Sequence, residues 1–162
     1  MDEPHQRIIG GTVVRPFQYS FLVRTYSLSL SSNSGYCGAS LLSDLWVLSA
    51  AHCFHTRPAA GIRVGVYKHS IWSGTQDDRE CTEIVTVAEK HCHPNYDNKH
   101  IDSGYDLCLL KLSRPITCSS RVAKVRLDDG TYWPLHTPAP LNGVATILGW
   151  GAVNAYATNS PS

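Results

Sequence analysis

Nine consecutive residues, Leu45–Cys53, constrain this chain more than any other stretch. They begin as an apolar run with poor alternation, which is typical of a strand buried on both faces. The run ends with a histidine, His52, directly beside the cysteine Cys53. An isolated histidine after such a strand is more often structural than catalytic. The role of His52 therefore depends on what the rest of the chain places beside it.

A second apolar run opens with a carboxylate. Asp106 precedes the run Leu107–Leu112, and a carboxylate that enters a core needs hydrogen-bond donors to satisfy it. The Nδ1–H group of His52 is a suitable donor. An isolated aspartate here would be explained as a cap or turn residue at the start of a strand, so Asp106 gains a chemical role only in combination with His52.

The remaining patterns predict further strands separated by turns. Alternating or β-branched runs bounded by Pro, Gly, Ser or Asn are typical of strands. The predicted strands are Ser20–Tyr26, Tyr36–Leu42, Ile62–Tyr67, Glu83–Ala88 and Val122–Leu127. With the two runs above, they make seven segments up to Leu127, roughly the six strands expected for one closed Greek-key barrel. A Pro- and Gly-containing linker, 128–142, and another apolar stretch, Val144–Gly151, follow.

Charge and hydropathy exclude two classes of partner. Fourteen basic and thirteen acidic residues leave a formal net charge of +1, which gives no electrostatic basis for binding nucleic acid or an anionic membrane surface. No apolar run approaches the roughly 18 residues that suggest a membrane span. We therefore expect one globular domain that interacts with neither nucleic acid nor membrane.

The cysteines and the first residues point in different directions. Six cysteines without a CxxC pair favour disulfides and an oxidising compartment over a zinc ribbon. However, Met1–Arg7 is polar and lacks the apolar segment of a secretory signal. We expect either that the true start lies upstream of Met1 or that the sequence is an incomplete copy of a secreted protein.

The residues around His52 and Asp106 resemble one known family. Trp46–Cys53, with the sequence WVLSAAHC, resembles the general-base segment of the trypsin/chymotrypsin serine endopeptidases. The run that starts at Asp106 resembles the Asp-Ile-Ala-Leu-Leu-Lys-Leu segment of that family, with Cys108 where alanine is usual. The resemblance implies that His52 takes the proton of a serine nucleophile and that Asp106 holds the histidine tautomer.

The same resemblance implies an all-β, trypsin-like Greek-key barrel fold and a domain organisation. Residues 1–7 would be a propeptide-like segment, 8–127 the complete first barrel and 128–142 the inter-barrel linker. Residues 143–162 would be the start of a second barrel, truncated after its first strand, with a frayed tail.

Two further features follow from the resemblance. Arg7–Gly11 is similar to the activation site of the family, which implies a zymogen cut between Arg7 and Ile8 by an activating protease. Tyr36–Leu42 is similar to the Cys-Gly-Gly-Ser-Leu segment of the family, which implies a Cys37–Cys53 disulfide beside His52. Closing that loop would contribute about 3 kcal/mol on the chain-entropy model.

The other four cysteines suggest two cross-strand bridges. In an antiparallel pair, facing residues have a nearly constant index sum, and the pairs Cys81–Cys118 and Cys92–Cys108 give 199 and 200. We favour these two pairings, with a β-bulge absorbing the offset of one residue. Alternatively, Cys108 is a free buried thiol.

Two patterns invite a metal, and we expect neither to bind one. His91 and His93 flank Cys92, but these two positions face one side of a strand while Cys92 faces the other, and no second ligand cluster follows. Asp77, Asp78 and Glu80 offer oxygen ligands for calcium, but the region where the first ligand is expected carries no carboxylate. We expect no cofactor and no metal.

The third member of the triad is missing from this sequence. No Gly-Asp-Ser-Gly-Gly occurs, and only 56 residues follow Asp106, whereas the serine of the family lies roughly 90 residues after the aspartate. We therefore expect the nucleophile beyond Ser162 and predict that this chain alone is inactive. The leading hypothesis is a fragment of a secreted serine endopeptidase that cleaves protein or peptide substrates. The alternative is a non-catalytic homologue that acts as a binding, decoy or inhibitor protein.

Overall fold

The computed structural model describes residues 11–27, 35–69, 80–100, 104–129 and 145–150. Strands and two short 3₁₀ turns make up its regular structure. The strands are β1 (Leu22–Ser27), β2 (Gly35–Leu41), β3 (Trp46–Ser49), β4 (Ile62–Val66), β5 (Glu83–Cys92) and β6 (Cys108–Leu112), and the 3₁₀ turns are Ala51–Cys53 and Ala59–Gly61. Among these described residues, no helix is long and apolar enough to cross a membrane.

The six strands close into one antiparallel barrel. Their order around the barrel is β1-β2-β3-β6-β5-β4, and β4 pairs with β1 to complete the ring. The order is not sequential, because the chain leaves β3, forms β4 and β5, and then returns to lie beside β3 as β6. Closure leaves none of the six strands with a free edge. The fold is the all-β, closed antiparallel barrel that the sequence predicts.

The barrel core is built from alternate residues of each strand. On β4, Ile62 and Val64 are buried while Arg63 between them is exposed, and on β6 Leu110 is buried while Leu109 is exposed. This period of two is the one that a pleated strand imposes on its side chains. Phe54, which follows the first 3₁₀ turn, is also fully buried in this core.

The predicted strand Leu45–Cys53 is wrong in its length and in its burial. The strand β3 spans only Trp46–Ser49, and its burial alternates between intermediate and buried positions. Trp46 and Leu48 are only half-buried, so poor alternation in the sequence does not mean burial on both faces. His52 lies on the 3₁₀ turn that follows, where the carbonyl of Ala51 accepts from the N–H of Phe54 at 2.9 Å.

The predicted strand Val122–Leu127 is absent. The barrel is already closed by the β4–β1 pairing and β6 already fills the place between β3 and β5, so no strand edge remains to pair with it. Instead, Val122 packs into the core and the N–H of Val125 donates to the carbonyl of Leu41 at 2.9 Å. The segment lies on the barrel without joining it.

Most of the predicted linker and second-barrel start lies outside the described residues. Only Asp128 and Asp129 of the linker and 145–150 of the following stretch are described, and 145–150 forms no strand. Trp150 is fixed to the barrel side, because its indole Nε1–H donates to the carbonyl of His69 at 2.9 Å. The predicted propeptide-like segment, 1–7, is not described.

Candidate active site

The 3₁₀ turn Ala51–Cys53 presents His52 at the end of the barrel. Ala51 and Cys53 are buried, whereas the side chain of His52 is 56% exposed. The two flanking residues therefore anchor the turn in the core and leave the imidazole on the surface.

Strand pairing brings Asp106 to this turn. The strands β3 and β6 are antiparallel neighbours with Ser49 opposite Cys108, so the residues that follow Ser49 lie beside those that precede Cys108. Asp106 meets His52 at two points: Oδ2 lies 2.7 Å from Nδ1 of the ring, and Oδ1 accepts from the backbone N–H at 2.8 Å. The carboxylate thus fixes both the ring and the backbone of His52.

The charge at Asp106 follows from these contacts. Burial raises the pKa of Asp106, but the hydrogen bonds from the His52 side chain and backbone outweigh it and hold that pKa below its usual range. An ionised carboxylate only accepts hydrogen bonds, so Nδ1 of His52 carries the proton. The lone pair is then on Nε2, which makes this nitrogen the basic atom of the site.

A disulfide braces the turn from the other side. Cys53 is bonded to Cys37 of β2, and its Sγ lies 3.4 Å from Nε2 of His52. The turn that carries the histidine is therefore tied covalently to one strand and, through Asp106, by hydrogen bonds to the segment before β6.

A family model described as Trypsin matches residues 8–161 of this chain. The chain belongs to the trypsin family. Similar curated proteins include "Trypsin" of Sus scrofa, 34% identical over 137 residues, which are 85% of this chain and 52% of that protein. "Trypsin V-A" of Rattus norvegicus is 32% identical over 162 residues, which are 99% of this chain and 56% of that protein. The chain thus spans about half the length of the curated relatives it matches.

The acid dependence of stability provides a first test of the pair in this trypsin-family chain. Because the pKa of Asp106 is lower folded than unfolded, its contribution is complete above the unfolded value, near 3.8, and is lost as pH falls through the folded value. We expect Asp106→Asn to destabilise the chain at pH 6, and the difference from the parent to shrink as the pH falls below about 3.8. Urea unfolding midpoints of both proteins across this range measure it. A difference that does not change with pH would contradict the lowered pKa.

A lysine that sequence analysis missed supports the same turn. Nζ of Lys90 on β5 donates to the backbone carbonyls of Phe54 at 2.8 Å, His55 at 3.4 Å and Arg57 at 2.6 Å. Burial lowers the pKa of Lys90. Its partners lie 33 to 36 residues earlier in the chain, and backbone carbonyls leave no trace in the sequence, so only the barrel reveals this contact.

Lys90→Met removes these bonds while keeping the aliphatic stem. We expect the free energy of unfolding to fall by about 1–3 kcal/mol, because part-buried carbonyls lose their donor. Lys111→Met is the matched control: Lys111 forms an ion pair with the exposed Glu89 at 2.6 Å, and an exposed pair contributes about 0–1 kcal/mol. Equal losses for the two variants in urea unfolding would contradict the role given to Lys90.

The six cysteines form the three predicted pairs. All six cysteines are paired, as Cys37–Cys53, Cys81–Cys118 and Cys92–Cys108; Cys108 is therefore not a free thiol. Cys92–Cys108 joins facing residues of β5 and β6, whereas Cys81 and Cys118 lie outside both strands, so only the first of the two is a cross-strand bridge. The register of β5 against β6 shifts by one residue between Val87 and Glu89.

The described residues of the two metal-like patterns have other partners. His91 lies 3.2 Å from Glu89, and His93 stacks on Tyr105. Glu80 forms an ion pair with Arg121 at 3.0 Å. Asp77 and Asp78 lie outside the described residues, as do Arg7 and Ile8 of the predicted activation site.

One three-residue cluster of the described part has metal-ligand atoms close together, namely Cys37, His52 and Cys53. Its two sulfurs are joined to each other, so neither is a thiolate that holds a metal.

Asp106 and residues of β1, β2 and β3 line an open groove of about 440 Å³. Its walls are mainly small and aliphatic. They are formed by Leu22, Gly38, Ala39, Ser40, Leu48, Ser49, Ala50, Asp106, Leu107 and Leu148. The carboxylate therefore lies at the boundary between a polar pair and an apolar surface.

Proposed function

We propose that this chain carries the general base and the orienting carboxylate of a serine endopeptidase that cleaves protein or peptide substrates. The observation that supports it best is the two-point contact of Asp106 with the ring and the backbone of His52, at 2.7 and 2.8 Å. Membership of the trypsin family supports the same assignment.

Each atom of the pair has a place in acyl transfer. Nε2 of His52 accepts the proton of a serine hydroxyl as the hydroxyl attacks the peptide carbonyl, and then returns it to the leaving amine. The imidazolium formed between these steps is stabilised by the carboxylate of Asp106, whose lowered pKa keeps it ionised. The side chain of His52 is 56% exposed, so the imidazole lies where a substrate and a nucleophile can approach it.

The nucleophile is proposed to come from outside these 162 residues. None of the serines in the sequence lies in a Gly-Asp-Ser-Gly-Gly segment, and a base without a hydroxyl to deprotonate does not run acyl transfer. The chain by itself is therefore proposed to be inactive.

A serine-directed fluorophosphonate probe tests this inactivity. We expect no labelling of the 162-residue chain, folded and with its disulfides intact, under conditions that label an active serine endopeptidase assayed in parallel. Mass spectrometry of the intact chain measures the adduct. Stoichiometric labelling of any serine would show that the chain contains its own nucleophile.

Restoration of activity tests the proposed function itself. Residues 8–151 of this chain replace the aligned part of the Sus scrofa relative, which is 34% identical, so that the remainder supplies the serine. We expect hydrolysis of a peptide ester by this chimera. A folded chimera without activity would contradict the assignment of His52 and Asp106.

The activation step and the location of the protein belong to the same proposal. We propose a secreted zymogen, organised as segment 1–7, first barrel 8–127, linker 128–142 and second-barrel start 143–162. The basic-apolar sequence Arg7–Ile8 and three disulfides support this. Limited digestion with a protease that cuts after basic residues is expected to give a product that begins Ile8-Ile9-Gly10-Gly11; cleavage elsewhere and not here would contradict the site.

A second candidate function is a non-catalytic homologue that binds partners. Exposed apolar side chains favour it, since Leu107, next to Asp106, is 54% exposed and Ile147 is 79% exposed, and exposed apolar surface marks interaction sites. Activity of the chimera would argue against this candidate, because a binding protein has no need for a competent His52–Asp106 pair.

A further inference from the structure

The four residues that carry Asp106 have an unusual backbone. Gly104 and Tyr105 both have positive φ, 81° and 61°, and the second is costly for a residue with a side chain. The N–H of Leu107 donates to the carbonyl of Tyr105 at 2.7 Å, which tightens the chain around Asp106. Such a segment keeps its shape only if its surroundings impose it.

Its surroundings are the end of β5. The N–H of His93 donates to the carbonyl of Leu107 at 2.9 Å, and the rings of His93 and Tyr105 stack with their centroids 4.6 Å apart. The segment 104–107 is therefore docked on the first residue after β5. His93 is half-buried, and Tyr105 and Leu107 are exposed. Their backbone hydrogen bond and ring stack lie where the β5–β6 ladder stops.

The disulfide Cys92–Cys108 closes that same end of the ladder. Cys92 and Cys108 are directly opposite in the register of β5 and β6, as the last pair before His93 and Leu107. Each cysteine is thus the chain neighbour of one partner in the His93–Leu107 bond. Cys108 is 1% exposed, so the bridge is anchored in the barrel core.

We propose that the Cys92–Cys108 disulfide is a positioning device that fixes the carboxylate of Asp106 on His52. The disulfide prevents the end of β5 from separating from the start of β6, and Asp106 lies only two residues before Cys108. The other side of the carboxylate is held by the turn at His52 through the bonds at 2.7 and 2.8 Å. The importance of this device for catalysis rests on the proposed function, but its effect on the contact does not.

The variant Cys92→Val/Cys108→Ala tests the proposal in the full 162-residue chain. Two NMR signals report on the contact without any hydrolysis. The chemical shift of the Asp106 carboxyl carbon, followed against pH, gives the pKa of that carboxyl group, and the exchange rate of the Nδ1 proton of His52 reports on its hydrogen bond. In the parent chain we expect a pKa below the usual range for aspartate and a protected Nδ1 proton. In the variant we expect the pKa of Asp106 to rise towards its ordinary value and the Nδ1 proton to exchange at least tenfold faster.

The matched control is Cys81→Ala/Cys118→Ala. This bridge closes a 37-residue separation rather than 16, so its loss removes a larger constraint on the unfolded chain. Cys81 and Cys118 lie outside β5 and β6, so both NMR signals should remain those of the parent. Parent-like signals in Cys92→Val/Cys108→Ala, or equal changes in the control, would overturn the proposal.

Tyr105→Gly separates the disulfide from the ring stack and decides the matter if Cys92→Val/Cys108→Ala does not fold. It removes the stack on His93 and relieves the positive φ while the disulfide stays intact. We expect both signals to be retained; their loss would assign the positioning to the stack and overturn the proposal. Because hydrolysis is not measured, an inactive chimera would refute the proposed function and leave this result unaffected.

Discussion

Asp106→Asn is expected to lower kcat by about 10⁴-fold in the active chimera that carries residues 8–151, the loss found for the orienting aspartate of a chymotrypsin-type triad. The amide keeps the shape of the carboxylate but removes its charge and offers a donor. In the parent, Nδ1 of His52 lies 2.7 Å from a carboxylate oxygen that accepts its proton. In the variant, either the Nδ1–H group faces the N–H of the amide, or the imidazole adopts the other tautomer, with its proton on Nε2. The lone pair on Nε2 would then be lost to the reaction.

The kinetic signature separates this effect from a general loss of structure. Asp106 contacts His52, and its role is to orient that histidine rather than to bind substrate. We therefore expect kcat to fall while KM changes little. Initial rates on a peptide ester over a range of substrate concentrations measure both constants. A fall in kcat of less than about tenfold would contradict the role of Asp106 in holding the tautomer.

The chain offers a second aspartate–histidine pair as the matched control. Asp97 accepts from the N–H of Lys99 and lies 2.6 Å from Nδ1 of His100, and both side chains are exposed. Hydrogen bonds hold the pKa of Asp97 below its usual range as well. Asp97→Asn should nevertheless change kcat/KM by no more than about twofold, as for other surface substitutions. An equal loss in both variants would mean that aspartate–histidine pairing matters here only for folding.

The two members of the site were predictable because each lies in a local motif. His52 follows an apolar run and Asp106 precedes one, and both patterns can be recognised within nine residues. Their distance was not predictable from residues alone, because it depends on the register of β3 against β6, which places Ser49 opposite Cys108. Lys90 was missed for the same reason, since its partners are backbone carbonyls on a distant turn.

The strands were predicted better than their ends and roles. Alternation located β4 and β5, because a period of two is a property of each strand by itself. It did not show that β3 stops at Ser49, where a 3₁₀ turn begins after Ala50. It also predicted a strand at Val122–Leu127, since an apolar segment that lies against a closed barrel has the same composition as one that joins it.

Leu110→Ala is expected to lower the free energy of unfolding by about 2–5 kcal/mol, the range for large-to-small substitutions in a packed core. Leu110 is fully buried at the centre of β6, which pairs with β3 on one side and β5 on the other, so a cavity there cannot be filled by movement of an edge strand. Leu109→Ala is the control on the next residue: its side chain is 37% exposed on the outer face, and we expect a loss of about 1 kcal/mol or less. Urea unfolding of the two variants, with m unchanged from the parent, measures the difference. Similar losses at both positions would contradict the inward direction of Leu110, and with it the β3–β6 register that places Asp106 beside His52.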